Sequence, residues 1–227
     1  MRRLRLNNTV SLLINLVTAI LIITCIVTFF YKISYFSELD LFVKLKYNNL
    51  KVKGTNVFRY FTIDSNILAT IACLVLVVEN FLVIIRKKDH VSSWAITLKY
   101  VAAVALGVTF ITSLAYLGPT AGFAKAFAGR NLILHLITPF LVISSFLYIE
   151  KGEISFFHSF MSILPTFFYG IVYMIMVVYL KEWKDIYFLN KNGAWAISFT
   201  AMHVGTILIG IILWLLHRQL TRKINPL

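Results

Sequence analysis

Asn131-Leu132-Ile133-Leu134-His135-Leu136-Ile137-Thr138-Pro139 opens an apolar run that continues to Tyr148. A run of that kind approaches the roughly 20 residues a helix needs to cross a bilayer. It therefore predicts a membrane helix with an imidazole about one turn inside its start. An ionisable group at that depth is costly and is by default a site candidate. Asn131, His135 and Thr138 stand at i, i+4 and i+7, which puts them on one face.

Similar runs surround it. They predict helices over 9–31, 60–85, 93–117, 131–149, 156–180 and 194–216. The expected fold is all-α: one polytopic membrane domain of six transmembrane helices over residues 1–227. Composition agrees, with 59% hydrophobic residues and a mean hydropathy of +0.83, against about 45–50% apolar in soluble domains. The first run is too long for a signal peptide and lacks a small-x-small cleavage site, so it reads as a retained helix. Gly118-Pro119 is expected to close the third helix, and Pro165 falls inside the expected fifth. Between the first two helices Leu41, Val43, Leu45 and Tyr47 alternate with Lys44 and Lys46, which suggests a short extended, interfacial piece.

The net charge of +13 resides in loops and chain ends. No Lys/Arg-rich aromatic surface accompanies it, so it reads as membrane anchoring and orientation, with no nucleic acid among the expected partners. Placing the N-terminus inside gathers Arg2, Arg3, Arg5, Arg86, Lys87, Lys88, Lys151, Arg218, Arg222 and Lys223 on the inner side. The outer loops after the third and fifth helices then hold Lys125, Arg130, Lys181, Lys184 and Lys191. The first outer loop runs against this count with Lys32, Lys44, Lys46, Lys51, Lys53 and Arg59; N-in, C-in remains the expectation. Cys25 and Cys73 lie in apolar runs without CxxC or His-rich company, which argues against a disulfide framework or a zinc site. No cofactor or metal is expected.

With this topology the second, fourth and sixth helices all start outside. Thr62, Ser65 and Asn66 share a face at the start of the second; the fourth offers Asn131 and His135; the sixth offers Trp195, Ser198, Thr200 and, deeper, His203. A hydroxyl facing a neutral imidazole is a nucleophile with its base. The carboxamides of Asn66 or Asn131 are candidates for holding a developing oxyanion. Asp64 lies about 200° from Thr62 around the helix, and is given no part in a triad. Against this stands the ordinary reading, that a membrane threonine bonds to its own helix backbone. Glu79 and Lys99 read as an ion pair across the inner half. Tyr169 and Tyr173 form a stripe from which Tyr173 is a candidate donor to a ligand carbonyl. Trp183, Tyr187 and Trp195 read as an aromatic belt.

Phe61-Thr62 and the N-x-x-x-H of Asn131 to His135 resemble the androgen-induced gene 1 and androgen-dependent TFPI-regulating protein family. Those are six-helix membrane proteins that hydrolyse fatty acid esters of hydroxy fatty acids with an essential threonine and histidine. Phe58 to Asn66, Leu98 to Gly118 and Asn131 to Pro139 also resemble its prokaryotic Pr6Pr-type branch. The resemblance implies Thr62 as nucleophile and His135 as base, a lipid substrate drawn from the bilayer and a bacterial plasma membrane; the N-in topology puts the site toward the outer leaflet. Two other readings are open on the residues alone. One is a lipid-binding or transport protein without turnover. The other is bis-histidine haem ligation by His135 and His203, set against a depth difference of about 7 Å at ~1.5 Å per residue.

Overall fold

The computed structural model describes residues 2–30 and 54–224, and those described residues contain helices and no strand. The alternating segment at Leu41 to Tyr47 lies outside them. Six helices dominate: α1 (Arg2–Phe30), α2 (Phe61–Ile84), α3 (Ser93–Ala121), α4 (Arg130–Tyr148), α5 (Leu164–Tyr179) and α6 (Trp195–Ile224). Five are long and apolar enough to cross a membrane: Asn7–Thr28 of α1, Phe61–Ile84, Ser93–Ala121, Arg130–Tyr148 and Trp195–Thr221 of α6. Their outward faces carry Leu13, Val17, Ile71, Val78, Val204 and Leu208, all exposed. An apolar exterior of this kind suits hydrocarbon as its solvent.

α5 is shorter than expected. It starts at Leu164 because Pro165 sits in its first turn, where a missing N–H costs nothing and a fixed φ helps. The residues before it form a separate turn, His158–Met161. α3 is longer than expected and passes through Gly118-Pro119.

The passage is made by a π turn, Ser113–Leu117, just before Gly118-Pro119. α4 repeats the device: Ile133–Ile137 is a π turn, followed by Thr138-Pro139. A proline inside a helix lacks a donor, and its ring collides with the carbonyl four residues back. Widening the preceding turn moves that carbonyl aside. In α4 the residue four before Pro139 is His135, so the site candidate sits on the widened turn.

α3 is the central helix and packs on α2, α4 and α6. Its Ala102, Ala103, Ala105 and Leu106 are fully buried. Small residues let helix backbones approach closely: a Cβ on Gly107 would stand 3.0 Å from Cγ2 of Ile209 on α6.

Away from the end where α2 begins lies a buried polar network. Lys99, with 0% exposure, donates from Nζ to Asn15 Oδ1 at 2.6 Å and to Cys73 Sγ at 3.2 Å. Asn15 Nδ2 in turn donates to Glu150 Oε1 at 2.7 Å, and Ser11 donates to the same carboxylate. Lys99 thus meets the Glu150 charge through Asn15. The expected Glu79–Lys99 pair does not form. Glu79 instead pairs with Lys88 at 2.7 Å and accepts from the Ser92 backbone N–H and hydroxyl, covering the start of α3. Its position near the end of α2 places it beside the α2–α3 connection, whereas Lys99 lies nearly two turns into α3.

Candidate active site

Thr62 is the second residue of α2. At that position the helix offers its hydroxyl no carbonyl a full turn behind, so the usual internal bond of a membrane threonine is missing. Its Oγ1 lies instead 3.2 Å from His135 Nε2 on α4. His135 Nδ1 is 2.8 Å from the carbonyl oxygen of Ala126. A carbonyl only accepts, so Nδ1 carries the proton and donates it. In the neutral ring Nε2 is then a lone pair facing the threonine hydroxyl. A backbone carbonyl here does the orienting that a carboxylate does in a Ser-His-Asp arrangement.

The pair is held by Asn66. Its Nδ2 donates to the Thr62 carbonyl at 2.7 Å and the Leu134 carbonyl at 3.2 Å, and its Oδ1 accepts from Thr138 at 2.7 Å. In the π register of α4, the Thr138 N–H reaches the Ile133 carbonyl. The next donor would come from residue 139 to Leu134. Residue 139 is proline, so Asn66 fills a vacancy the chain itself creates.

Thr62 also borders a cavity of about 390 Å³ between α2, α3, α5, α6 and the loop before α6. Its wall is mostly apolar, with Phe61, Val108, Ile111, Leu117, Met202 and Ile209 among its residues. Hydroxyls come from Thr62, Thr109, Thr112, Ser113, Tyr116, Tyr169, Tyr187, Ser198 and Thr206. His135 is 7% exposed and is not on that wall. It stands behind Thr62, which separates it from the cavity.

The other sequence candidates take different places. Ser65 donates to the Thr62 carbonyl at 3.1 Å and meets Thr109 Oγ1 at 2.8 Å, tying α2 to α3. Asn131 Nδ2 donates to the Lys125 carbonyl at 3.1 Å and secures the turn before α4. Tyr173 donates to Asp185 Oδ1 at 3.0 Å and accepts the Tyr187 N–H. It fixes the loop and is not on the cavity wall; Tyr169 of the same stripe is. His203 Nδ1 is 2.6 Å from the Phe199 carbonyl, its Nε2 is buried without a partner, and its ring lies against Phe199 and Phe167. His135 is turned away from His203, with Nδ1 on the Ala126 carbonyl and Nε2 facing Thr62. Asp64 borders a separate groove with Phe58, Pro165 and Trp183. Among the described residues no group of three or more His, Cys, Asp or Glu stands together, and both cysteines are free and buried.

Tyr187, read from sequence as part of an interfacial belt, has a specific task. Its oxygen accepts the Phe61 N–H at 3.2 Å, satisfying one of the free donors at the start of α2. Its ring meets that of Tyr169 edge-on, and Tyr169 donates to the Arg59 carbonyl at 2.8 Å. Burial pushes the Tyr187 phenol well above its ordinary value, so it stays protonated. Asp185 anchors the loop that carries it, accepting the Leu189 and Asn190 N–H groups at 2.9 Å each. The residues missed from sequence are Ala126, Ser113 and this loop. A backbone carbonyl has no sequence signature, and only the Asp-to-N–H spacing of the loop was open to inspection.

No protein-family model, no curated protein and no solved structure matches this chain.

Proposed function

We propose that the chain is an intramembrane lipid esterase that hydrolyses fatty-acyl esters, including fatty acid esters of hydroxy fatty acids, with Thr62 as nucleophile and His135 as base. The observation that carries this reading is the Thr62 Oγ1 to His135 Nε2 approach of 3.2 Å, with the imidazole turned by Ala126 and the threonine beside an apolar cavity. The resemblance of Phe61-Thr62 and Asn131 to His135 to the threonine hydrolase family supports the same pair. In this reading α5 is a sixth span. The chain is N-in, C-in, and the site lies toward the outer leaflet of a bacterial plasma membrane.

Attack by Thr62 Oγ on the ester carbon passes the hydroxyl proton to Nε2 and forms a tetrahedral intermediate. Collapse expels the alcohol, which takes the proton from Nε2, and leaves an acyl-threonine. Water then gives a proton to Nε2 and attacks the acyl carbon; collapse of this second tetrahedral intermediate breaks the bond to Thr62 Oγ, which takes the proton back from Nε2 as the fatty acid leaves. The start of α2 places the positive end of a 24-residue helix beside the developing charge.

The test is hydrolysis by purified protein in detergent, with a fatty ester of a hydroxy fatty acid and a simple medium-chain ester. Thr62→Ala and His135→Ala are each expected to lower turnover by on the order of 10²–10⁴, with unchanged elution on size exclusion. Turnover by either variant at the wild-type rate overturns the dyad. Binding of the ester by wild type with neither turnover nor an acyl adduct favours a lipid-binding protein instead.

A further inference from the structure

Ser113 is 1% exposed, and its hydroxyl has no hydrogen-bond partner among the described residues, yet it lies on the wall of the Thr62 cavity. A helical serine usually returns its hydroxyl to a carbonyl one turn back. Leaving a buried hydroxyl unmatched is costly. Ser113 is also the first residue of the π turn of α3, and π turns recur at functional sites.

The depth of Ser113 follows from the α2–α3 register. Ser65 and Thr109 meet at 2.8 Å on antiparallel helices. Thr62 stands three residues from Ser65 toward the start of α2, and Ser113 stands four from Thr109 in the same direction. At ~1.5 Å per residue these steps differ by roughly 2 Å. Thr62 and Ser113 therefore border one cavity at nearly one level.

Other donors near that level are committed. Asn66 spends both amide hydrogens on the Thr62 and Leu134 carbonyls. Thr109 and Ser65 form a chain that ends on the Thr62 carbonyl. Tyr169 donates to the Arg59 carbonyl, and the Tyr187 oxygen is held by the Phe61 N–H at the start of α2. Thr206 donates to Met202. Thr112, Tyr116 and Ser198 are half-buried, not enclosed.

We infer that the Ser113 hydroxyl is the donor that holds the acyl carbonyl oxygen of a ligand in this cavity, opposite Thr62. The inference rests on reading the cavity as the ester site. The acyl chain then runs along the wall away from Thr62, past Val108 and Gly205 to Ile209. Since Ile209 packs at Gly107, six residues along α3 from Ser113, that arm is about 9 Å long at ~1.5 Å per residue.

The experiment uses full-length protein in detergent and an octanoate ester carrying ¹³C at its carbonyl. Bound to Thr62→Ala, which removes the nucleophile, the labelled carbonyl is read by isotope-edited infrared difference spectroscopy. The expected spectrum has the band below its position in apolar solvent. Adding Ser113→Ala returns it to the apolar-solvent position, and Ser113→Thr keeps it low. In otherwise wild-type protein, Ser113→Ala lowers kcat by on the order of 10²–10³ with little change in KM. A band already at the apolar-solvent position in Thr62→Ala, or a shift that survives Ser113→Ala, overturns the assignment. The spectra report a bound carbonyl without turnover. Failure of the nucleophile, seen as wild-type hydrolysis by Thr62→Ala, is therefore a separate result.

Discussion

His135 donates from Nδ1 to the Ala126 carbonyl at 2.8 Å, and this one bond decides which nitrogen faces Thr62. It ties the base on α4 to the short turn Phe123–Ala126 that precedes it. No side chain can be mutated to remove that orienting acceptor.

The proposed mechanism needs a neutral base, so protonation of His135 should remove activity. The rate kcat/KM should rise with pH as one proton leaves the imidazole, whose ordinary pKa is about 6.5, and then level off. His135→Ala should lose that dependence, and added imidazole should restore part of its rate. A profile that is flat in wild type, or identical in His135→Ala, would show that the imidazole is not the base.

Asn66→Ala should destabilise the bundle by on the order of 1–3 kcal/mol, the cost of leaving the Leu134 carbonyl and Thr138 hydroxyl unmatched. Asn66→Asp turns an acceptor toward the Thr62 and Leu134 carbonyls in a fully buried place, so it should be no better than Ala. Thermal unfolding in detergent should put both variants below wild type. An Asn66→Ala protein that melts with wild type would mean that the α2–α4 clasp is idle.

Gly205 borders the cavity, and a Cβ built there meets nothing within 4 Å. A larger side chain thus has room to enter and to shorten the acyl arm. Gly205→Leu should lower kcat/KM for eight-carbon esters by at least about tenfold, on the scale of one or two lost methylene contacts, while four-carbon esters react nearly as before. An equal loss across a chain-length series would place the acyl chain elsewhere.

Much of this was legible from sequence because helical spacing and apolar runs are local. Thr62 and His135 stand 3.2 Å apart; spacing alone leaves Thr62 open to the ordinary reading of a membrane threonine, and it is the resemblance that implies the pair. Asn66 was named for the right neighbourhood but as an oxyanion donor, and its bonds make it a clasp. What decides this is Pro139, whose missing donor acts across to another helix. Asn131, Tyr173 and His203 were named for polarity at a plausible depth. Depth does not say which way a side chain turns, and each is used locally. Ser113 was passed over as one hydroxyl in an apolar helix, since only three-dimensional packing reveals that it has no partner. The prolines misled at boundaries: Gly118-Pro119 reads as a stop until a π turn lets the helix continue, and Pro165 reads as interior when it is a beginning.

The Lys99–Asn15–Glu150 network bears on how the chain is made. Asn15 emerges first from the ribosome, Lys99 follows 84 residues later and Glu150 comes 135 residues after Asn15. Lys99 sits in α3 with no partner on its own helix, and Glu150 lies just past the end of α4. Until the end of α4 is synthesised, α1 and α3 hold a cation whose counter-charge does not yet exist. The cluster therefore reaches charge balance only once the residues just past α4 have been made, so the packing of the first helix is completed by a part of the chain that comes late.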